Sequence, residues 1–206
     1  MISLFLDTSS KKLVVYLVKD KDILYEKELE TINDHSKYLV PFIDEALKQN
    51  NLSPKDINKI YVVNGPGSFT GTRIGVTVGK VFAYSIDINV IPVSSLKQYI
   101  FSEDNKDYYV SIIKDKGNRV YYGIYDKDYN DIVTDKYNYM NVFTEDISKL
   151  NGNIVFISDE DIDGIETVKP KLDIIKLLEY YKDKEINAHF LKPNYLKKIE
   201  VEEKLW

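Results

Sequence analysis

The chain has 206 residues, 44% of them hydrophobic and 30% charged, which is enough to bury a core as one domain or two small ones. Its 33 acidic against 28 basic residues leave a net charge of −5, which argues against broad binding to a phosphate backbone by this chain alone. With no cysteine and only two histidines, His35 and His189, the composition excludes disulfides, thiolate metal sites, thiol catalysis and a multi-histidine metal centre.

No run approaches the ~20 apolar residues of a membrane span. The chain enters directly on a strand-like Ile2–Asp7 with no basic leader before it, so a cytoplasmic protein with no membrane attachment is expected. Ile2–Leu6, Leu13–Val18 and Ile23–Leu29 read as strands, joined by hairpin-length turns at Ser9–Lys12 and Asp20–Asp22. Asn33 or Asp34 then caps a helix running to Asn50, with Tyr38, Leu39, Phe42, Ile43, Ala46 and Leu47 at helical spacing. Pro41 inside it removes one hydrogen bond and is expected to bend or loosen it. Ser53-Pro54 opens a short capped segment, and Ile60–Val63 reads as a buried strand.

Gly65-Pro66-Gly67 stops that strand, and Ser68 or Thr70 can accept a backbone hydrogen bond to start the next helix. Asn89–Val93 is another strand, after which Ser94-Ser95 cap a third helical segment from about Leu96. The order β-β-β-α-β-α-β-α predicts an α/β lobe, a mixed sheet with helices on its faces. A polar run at Ser102–Asp107 places the lobe boundary at residues 1–103 and 104–206. Beyond it lie strands Tyr108–Lys114, Arg119–Tyr125 and Asp131–Tyr139, a helix at Thr144–Leu150, a strand at Asn153–Ser158 and a helix at Leu172–Lys182. This half echoes the first in shortened form, the pattern of a decayed duplication.

The helix after Ser68 carries Gly71, Gly75, Gly79 and Ala83 at i, i+4, i+8 and i+12, one above another. Each interior glycine costs about 0.8–1 kcal/mol relative to alanine, so the stripe needs a reason. Close backbone approach supplies one, and two neighbours fit it: this protein's own sheet, or a helix of a second protein. Arg73 and Lys80, seven apart on the same helix, can meet acidic groups of a partner or stand as solvated charges.

Asp7-Thr8-Ser9 ends the first strand with a carboxylate and hydroxyls. With Gly65 and Gly67 it can form a weak, degenerate nucleotide site. Alone, the reading as an Asx-type turn is stronger. No G-x-x-x-x-G-K follows Gly65, and the dinucleotide pattern fails at Thr70, so neither phosphate-binding motif is met. Asp159–Gly164 matches half a calcium loop, but the position of its bidentate glutamate is Pro170. His35-Ser36 has no partner carboxylate or nucleophile in view, so a capping or interface role is expected of it.

In order along the chain stand Asp7-Thr8-Ser9, His35-Ser36 leading into Leu39-Val40-Pro41, Gly65-Pro66-Gly67-Ser68-Phe69-Thr70-Gly71-Thr72-Arg73-Ile74-Gly75, and Pro92-Val93-Ser94-Ser95-Leu96. Together they closely resemble the TsaB (YeaZ) family, the bacterial dimerisation subunit of tRNA threonylcarbamoyladenosine synthesis. The glycine-rich block is the specific part. Coverage is convincing over the first 100 or so residues, and in the second half rests on Lys192–Lys198 alone. Lys37 and the short, Tyr-, Asn- and Lys-rich second lobe depart from the family's pattern.

The resemblance implies an actin/Hsp70/sugar-kinase-like (RNase H-like) fold of two lobes, with mixed sheets flanked by helices. It implies a non-catalytic scaffold that binds and activates TsaD, the threonylcarbamoyltransferase that modifies the adenosine next to the anticodon. TsaE, an ATPase, would join the larger assembly. Alone, the chain would form a homodimer, and tRNA would be touched only indirectly. No catalytic residue, metal or cofactor is expected in this chain, with ATP or ADP only at a complex interface. Carried onto this sequence, partner binding falls to Tyr38, Phe42, Gly71, Thr72, Arg73, Gly75, Val76 and Gly79, with Leu39, Ile43 and Leu47 on the sheet side. The alternatives are a nucleotide-dependent ATPase or kinase-like enzyme of the same fold using Asp7, Thr8, Ser9, Gly65 and Gly67 and, more weakly, a peptidase.

Overall fold

The computed structural model describes residues 1–31 and 33–197. Lys198, the last residue of the Lys192–Lys198 stretch, lies outside the described residues. The described chain divides into two compact units, Met1–Ser95 with Ile175–Asn194, and Leu96–Ile174 with residues 195–197.

In the first unit, β1 (Ile2–Asp7), β2 (Lys12–Lys19), β3 (Asp22–Glu30), β4 (Lys59–Gly65) and β5 (Val90–Ser94) form one sheet in the order β3-β2-β1-β4-β5. β1 pairs antiparallel with β2 and parallel with β4, in the register Leu4↔Leu17 and Leu4↔Ile60. Such a mixed sheet is covered on both faces, which is why β1 is an unbroken apolar run. Two helices, α1 (His35–Gln49) and α2 (Phe69–Ser85), pack their Leu39, Ile43, Ala46, Leu47, Val76 and Ala83 onto Leu4, Leu6, Leu13, Val15, Ile60 and Val62. On the opposite side of β4, Tyr61 donates its hydroxyl to the Leu178 carbonyl at 3.2 Å.

In the second unit, β6 (Tyr108–Asp115), β7 (Arg119–Asp126), β8 (Asp131–Tyr139) and β9 (Ile154–Ile157) pair in the order β8-β7-β6-β9. β6 lies antiparallel to β7 and parallel to β9, the same sequence of pairings as in the first sheet without a fifth strand. α3 (Met140–Ile147) seats Phe143 on Val110, Ile112, Val120, Tyr122 and Ile124. The last helix, α4 (Ile174–Tyr181), returns the chain to the first unit from Ile175 on. The result is an α/β molecule of two mixed sheets flanked by helices, as the sequence predicts.

Three local readings are corrected. The first unit ends at Ser95 rather than 103, and it recovers a second segment late in the chain, because Val90 and Ile186 exchange backbone hydrogen bonds at 2.8 and 2.9 Å. Ser95 caps no helix: its N–H donates to the Gly65 carbonyl and its hydroxyl to the Pro66 carbonyl, and the next element is a 3₁₀ segment, Lys97–Ser102. α3 begins at Met140 rather than Thr144, since no capping side chain marks its start and Thr144 bonds back to the Met140 carbonyl at 2.5 Å. α1 runs through Pro41 as one 15-residue helix.

Candidate functional site

The loop 65–68 is built by backbone pairing with the end of β1. The Gly65–Pro66 peptide is cis. Ser68 N–H donates to the Ser9 carbonyl at 2.7 Å, and the Thr8 hydroxyl donates to the Gly71 carbonyl at 2.7 Å. Ser68 is the N-cap of α2, its hydroxyl accepting from Gly71 N–H at 3.1 Å. Ser9 N–H donates to an Asp7 carboxylate oxygen at 2.7 Å, the Asx-type turn. Asp7, Thr8, Ser9, Gly65 and Gly67 therefore do come together, and they close on one another. A Cβ on Gly67 would stand 2.2 Å from the Ser9 carbonyl oxygen, so the loop and the strand end are in direct backbone contact.

The glycine stripe faces the same way. A Cβ added to Gly71 would lie 2.1 Å from the Thr8 backbone oxygen, one on Gly75 2.4 Å from Thr8 Oγ1, and one on Gly79 2.3 Å from Val62 Cγ2. The close neighbour is thus β1 and β4 of this protein. This corrects the assignment of Gly71, Gly75 and Gly79 to a partner-binding face. Thr72 and Val76 are buried on the same side, and Phe42 belongs to the core of the first unit. The reason is geometric: residues four apart share one helix face, so whatever covers the glycines covers Thr72 and Val76 beside them. Tyr38 is half-buried and stacked on Phe42 at 5.8 Å, while Arg73 alone of the predicted set points outward.

Of the outward face of α2 the sequence singles out only Arg73 and Lys80, and three large hydrophobic side chains are exposed along it. Phe69 is 50% exposed, Val81 61% and Tyr84 66%, and Val40 on the neighbouring helix α1 is 54% exposed. The Arg73 guanidinium lies 3.8 Å over the Phe69 ring. This stripe follows the same i, i+4 spacing as the glycines, through Phe69, Arg73, Thr77 and Val81. Exposed apolar residues scattered singly are ordinary, whereas large contiguous apolar patches are rare on a lone chain. Lys80 is turned to one side, donating to the His189 carbonyl at 2.8 Å.

His35 is buried rather than at an interface, and its Nε2 has no hydrogen-bond partner among the described residues. At the acidic turn, Ile162 and Ile165 form a bridge around Asp163-Gly164, and no three metal-ligating side chains gather anywhere among the described residues. No helix among them is long and apolar enough to cross a membrane.

Comparison with known proteins gives three findings. Residues 28–147 match the family model described as "TsaD: tRNA N6-adenosine threonylcarbamoyltransferase". The chain is 36% identical over 126 residues to the tRNA threonylcarbamoyladenosine biosynthesis protein TsaB of Bacillus subtilis (strain 168), covering 61% of this chain and 55% of that protein. It is 34% identical over 127 residues to the TsaB of Haemophilus influenzae, covering 58% and 51%. The chain thus spans about half the length of the curated relatives it matches. In structure it is similar to YeaZ from Pseudomonas aeruginosa, with a TM-score of 0.73 at 17% identity over 95% of this chain and 99% of that one, which shows a shared fold.

Proposed function

The chain belongs to the TsaD family, in which its curated relatives are named TsaB, and from that premise we propose that it is an accessory subunit of tRNA threonylcarbamoyladenosine synthesis. In this reading it docks a TsaD-type threonylcarbamoyltransferase and holds it in an active geometry, without itself catalysing the transfer. The observation that carries the reading is the exposed row Phe69, Arg73, Val81 and Tyr84 on α2, beside Val40 on α1, an apolar surface that a lone chain leaves to water. The docking face is therefore the side of α2 opposite the glycines. Without the partner the same row meets a second copy and gives a homodimer. A TsaE-type ATPase joins the assembled pair, tRNA is held by the partner, and the working compartment is the cytoplasm.

Asp7, Thr8, Ser9, Gly65 and Gly67 act in this reading as the seat of α2 rather than as a nucleotide site, because Ser68 N–H and the Thr8 hydroxyl are spent on the chain's own carbonyls. ATP or ADP then belongs only to an interface with other subunits.

The test is reconstitution with TsaD from the same organism. Val81→Asp should weaken binding by at least tenfold, because a carboxylate would be buried against an apolar partner. Its melting temperature should stay within a degree or two of wild type, since Val81 is 61% exposed. The modification assay should fail when this subunit is omitted. Unchanged binding by Val81→Asp sinks the docking face, and robust ATP turnover by the isolated protein sinks the scaffold reading itself.

A further inference from the structure

The chain contains two Asn-Gly pairs, Asn64-Gly65 and Asn151-Gly152. Such a pair is especially open to attack by its own backbone, because glycine puts no side chain between the peptide nitrogen and the asparagine amide. The reaction needs that nitrogen to swing onto the asparagine Cγ, so backbone held in a sheet resists it and an open loop permits it.

The two pairs stand in opposite settings. Asn64-Gly65 closes β4, where Gly65 pairs with Ser94 of β5. The Asn64 side-chain amide donates to the Lys192 carbonyl at 3.0 Å, its own carbonyl accepts Asn194 N–H at 2.7 Å, and the Gly65 carbonyl accepts Ser95 N–H at 3.1 Å. Asn151-Gly152 lies exposed between α3 and β9, and neither the Asn151 side chain nor the Gly152 N–H makes a hydrogen bond among the described residues. The turn also demands its glycine. Gly152 has φ +152°, and a Cβ on it would stand 2.6 Å from Asp107 Oδ2 and 3.0 Å from Asp107 Cβ and Cγ.

Asn153, the next residue, clasps the start of β9 to β6. Its N–H donates to Asp107 Oδ2 at 2.8 Å, and its carbonyl accepts the N–H groups of Asp107 and Tyr108 at 2.9 and 3.2 Å. The ladder begins there, with Tyr108↔Ile154 as its first pair.

We infer that Asn151 is a site of spontaneous deamidation, that Asn64 is protected from it, and that the product loosens β9. The Gly152 nitrogen bonds to Asn151 Cγ, and the side-chain nitrogen leaves as ammonia with the proton that the Gly152 N–H gives up. Water then adds to either carbonyl of the cyclic imide, so the chain emerges with an aspartate or an isoaspartyl link at 151. Net, water enters and ammonia leaves, with no oxidation or reduction. The isoaspartyl form carries an extra methylene in the main chain just ahead of Gly152, which displaces the clasp at Asn153. Both forms add a carboxylate to a turn that already packs on Asp107.

The experiment ages the full chain in warm, mildly alkaline buffer, maps its peptides by mass spectrometry and detects isoaspartate with an isoaspartyl methyltransferase. It compares folded wild type, wild type unfolded in urea, and Asn151→Ser, which should fold normally because Asn151 is exposed. In the folded protein Asn151 should react at least about tenfold faster than Asn64, a gap that corresponds to about 1.4 kcal/mol of local opening at β4. In urea the two sites should react at similar rates, since the protection belongs to the fold. Aged wild type should melt lower than fresh wild type, and aged Asn151→Ser should melt as it did when fresh. Equal rates at the two sites in the folded protein, or no reaction at Asn151, overturns the inference. So does an aged, isoaspartyl-bearing protein that melts like the fresh one.

Discussion

Gly75 and Thr8 offer the sharpest test of how α2 is seated. A Cβ on Gly75 would lie 2.4 Å from Thr8 Oγ1 but 3.7 and 3.9 Å from Thr8 Cβ and Cγ2, so the whole conflict is with one oxygen. That oxygen is buried and donates to the Gly71 carbonyl at 2.7 Å. Gly75→Ala gains about 0.8–1 kcal/mol of helix propensity. It costs about 1–3 kcal/mol in overpacking, and about 1–3 kcal/mol more if the hydroxyl is driven off its acceptor. The net loss should be about 2 kcal/mol, or roughly 4–8 °C in melting temperature for a chain of this size. Thr8→Ala alone should cost about 1–2 kcal/mol, chiefly the lost buried hydrogen bond to the Gly71 carbonyl. In that background Gly75→Ala meets only ordinary contacts and should become stabilising by up to about 1 kcal/mol. The double-mutant cycle, read by thermal or urea unfolding followed by circular dichroism, should therefore show coupling of about 2–3 kcal/mol. Additivity of the two changes within about 0.5 kcal/mol would falsify the seating of the glycines on β1. Gly75→Leu, the obvious block to a partner, should damage the fold before it could report on docking.

Lys80→Met keeps the stem and removes the donor that holds residues 189–191 against α2. It should cost about 1 kcal/mol and speed amide exchange around 188–192 while leaving the central strands protected; equal exchange throughout would refute the clamp. In the second unit, Asp146 accepts the Tyr122 hydroxyl at 2.7 Å and Lys136 Nζ at 3.0 Å, and these bonds hold its carboxyl down to about 2, against an ordinary value of 3.8. A depressed carboxyl contributes stability that is present above its unfolded value and is lost as pH falls through its folded one. Asp146→Asn should thus be less stable than wild type at neutral pH and lose less on acidification from about pH 4 to pH 2. Parallel acid limbs in the two proteins would count against the bonds. On the far side of α2 from its outward stripe, Gly79→Ala presses on the stiff, buried Val62 and should destabilise by about 1–2 kcal/mol. Thr77→Ala on the exposed side should be neutral or slightly stabilising, and a reversed order would place the helix the wrong way round.

The strands were legible because a central strand of a mixed sheet is apolar on both faces and turns interrupt it at hairpin spacing, as between Leu6 and Leu13. The return of residues 186–194 to the first unit was not, because Asn64 and Lys80 hold that segment through backbone carbonyls, and a carbonyl has no residue type. The glycine stripe failed differently. Its spacing says that something approaches closely, but a foreign helix and the home strand demand the same missing Cβ, and only the contacts of Thr8 and Val62 decide between them. Nor could exposure be read from the opposite side, where Phe69, Val81 and Tyr84 look like core residues in a helix with no acidic group. The corrected stripe still bears on docking. α2 rests on β1 and β4 through backbone and short β-branched groups rather than long side chains that could repack, so its outward row is held in one position. An interface fixed before the partner arrives loses less conformational entropy on binding. In the docking reading, the glycines thus serve a partner they never touch, by fixing the helix that does.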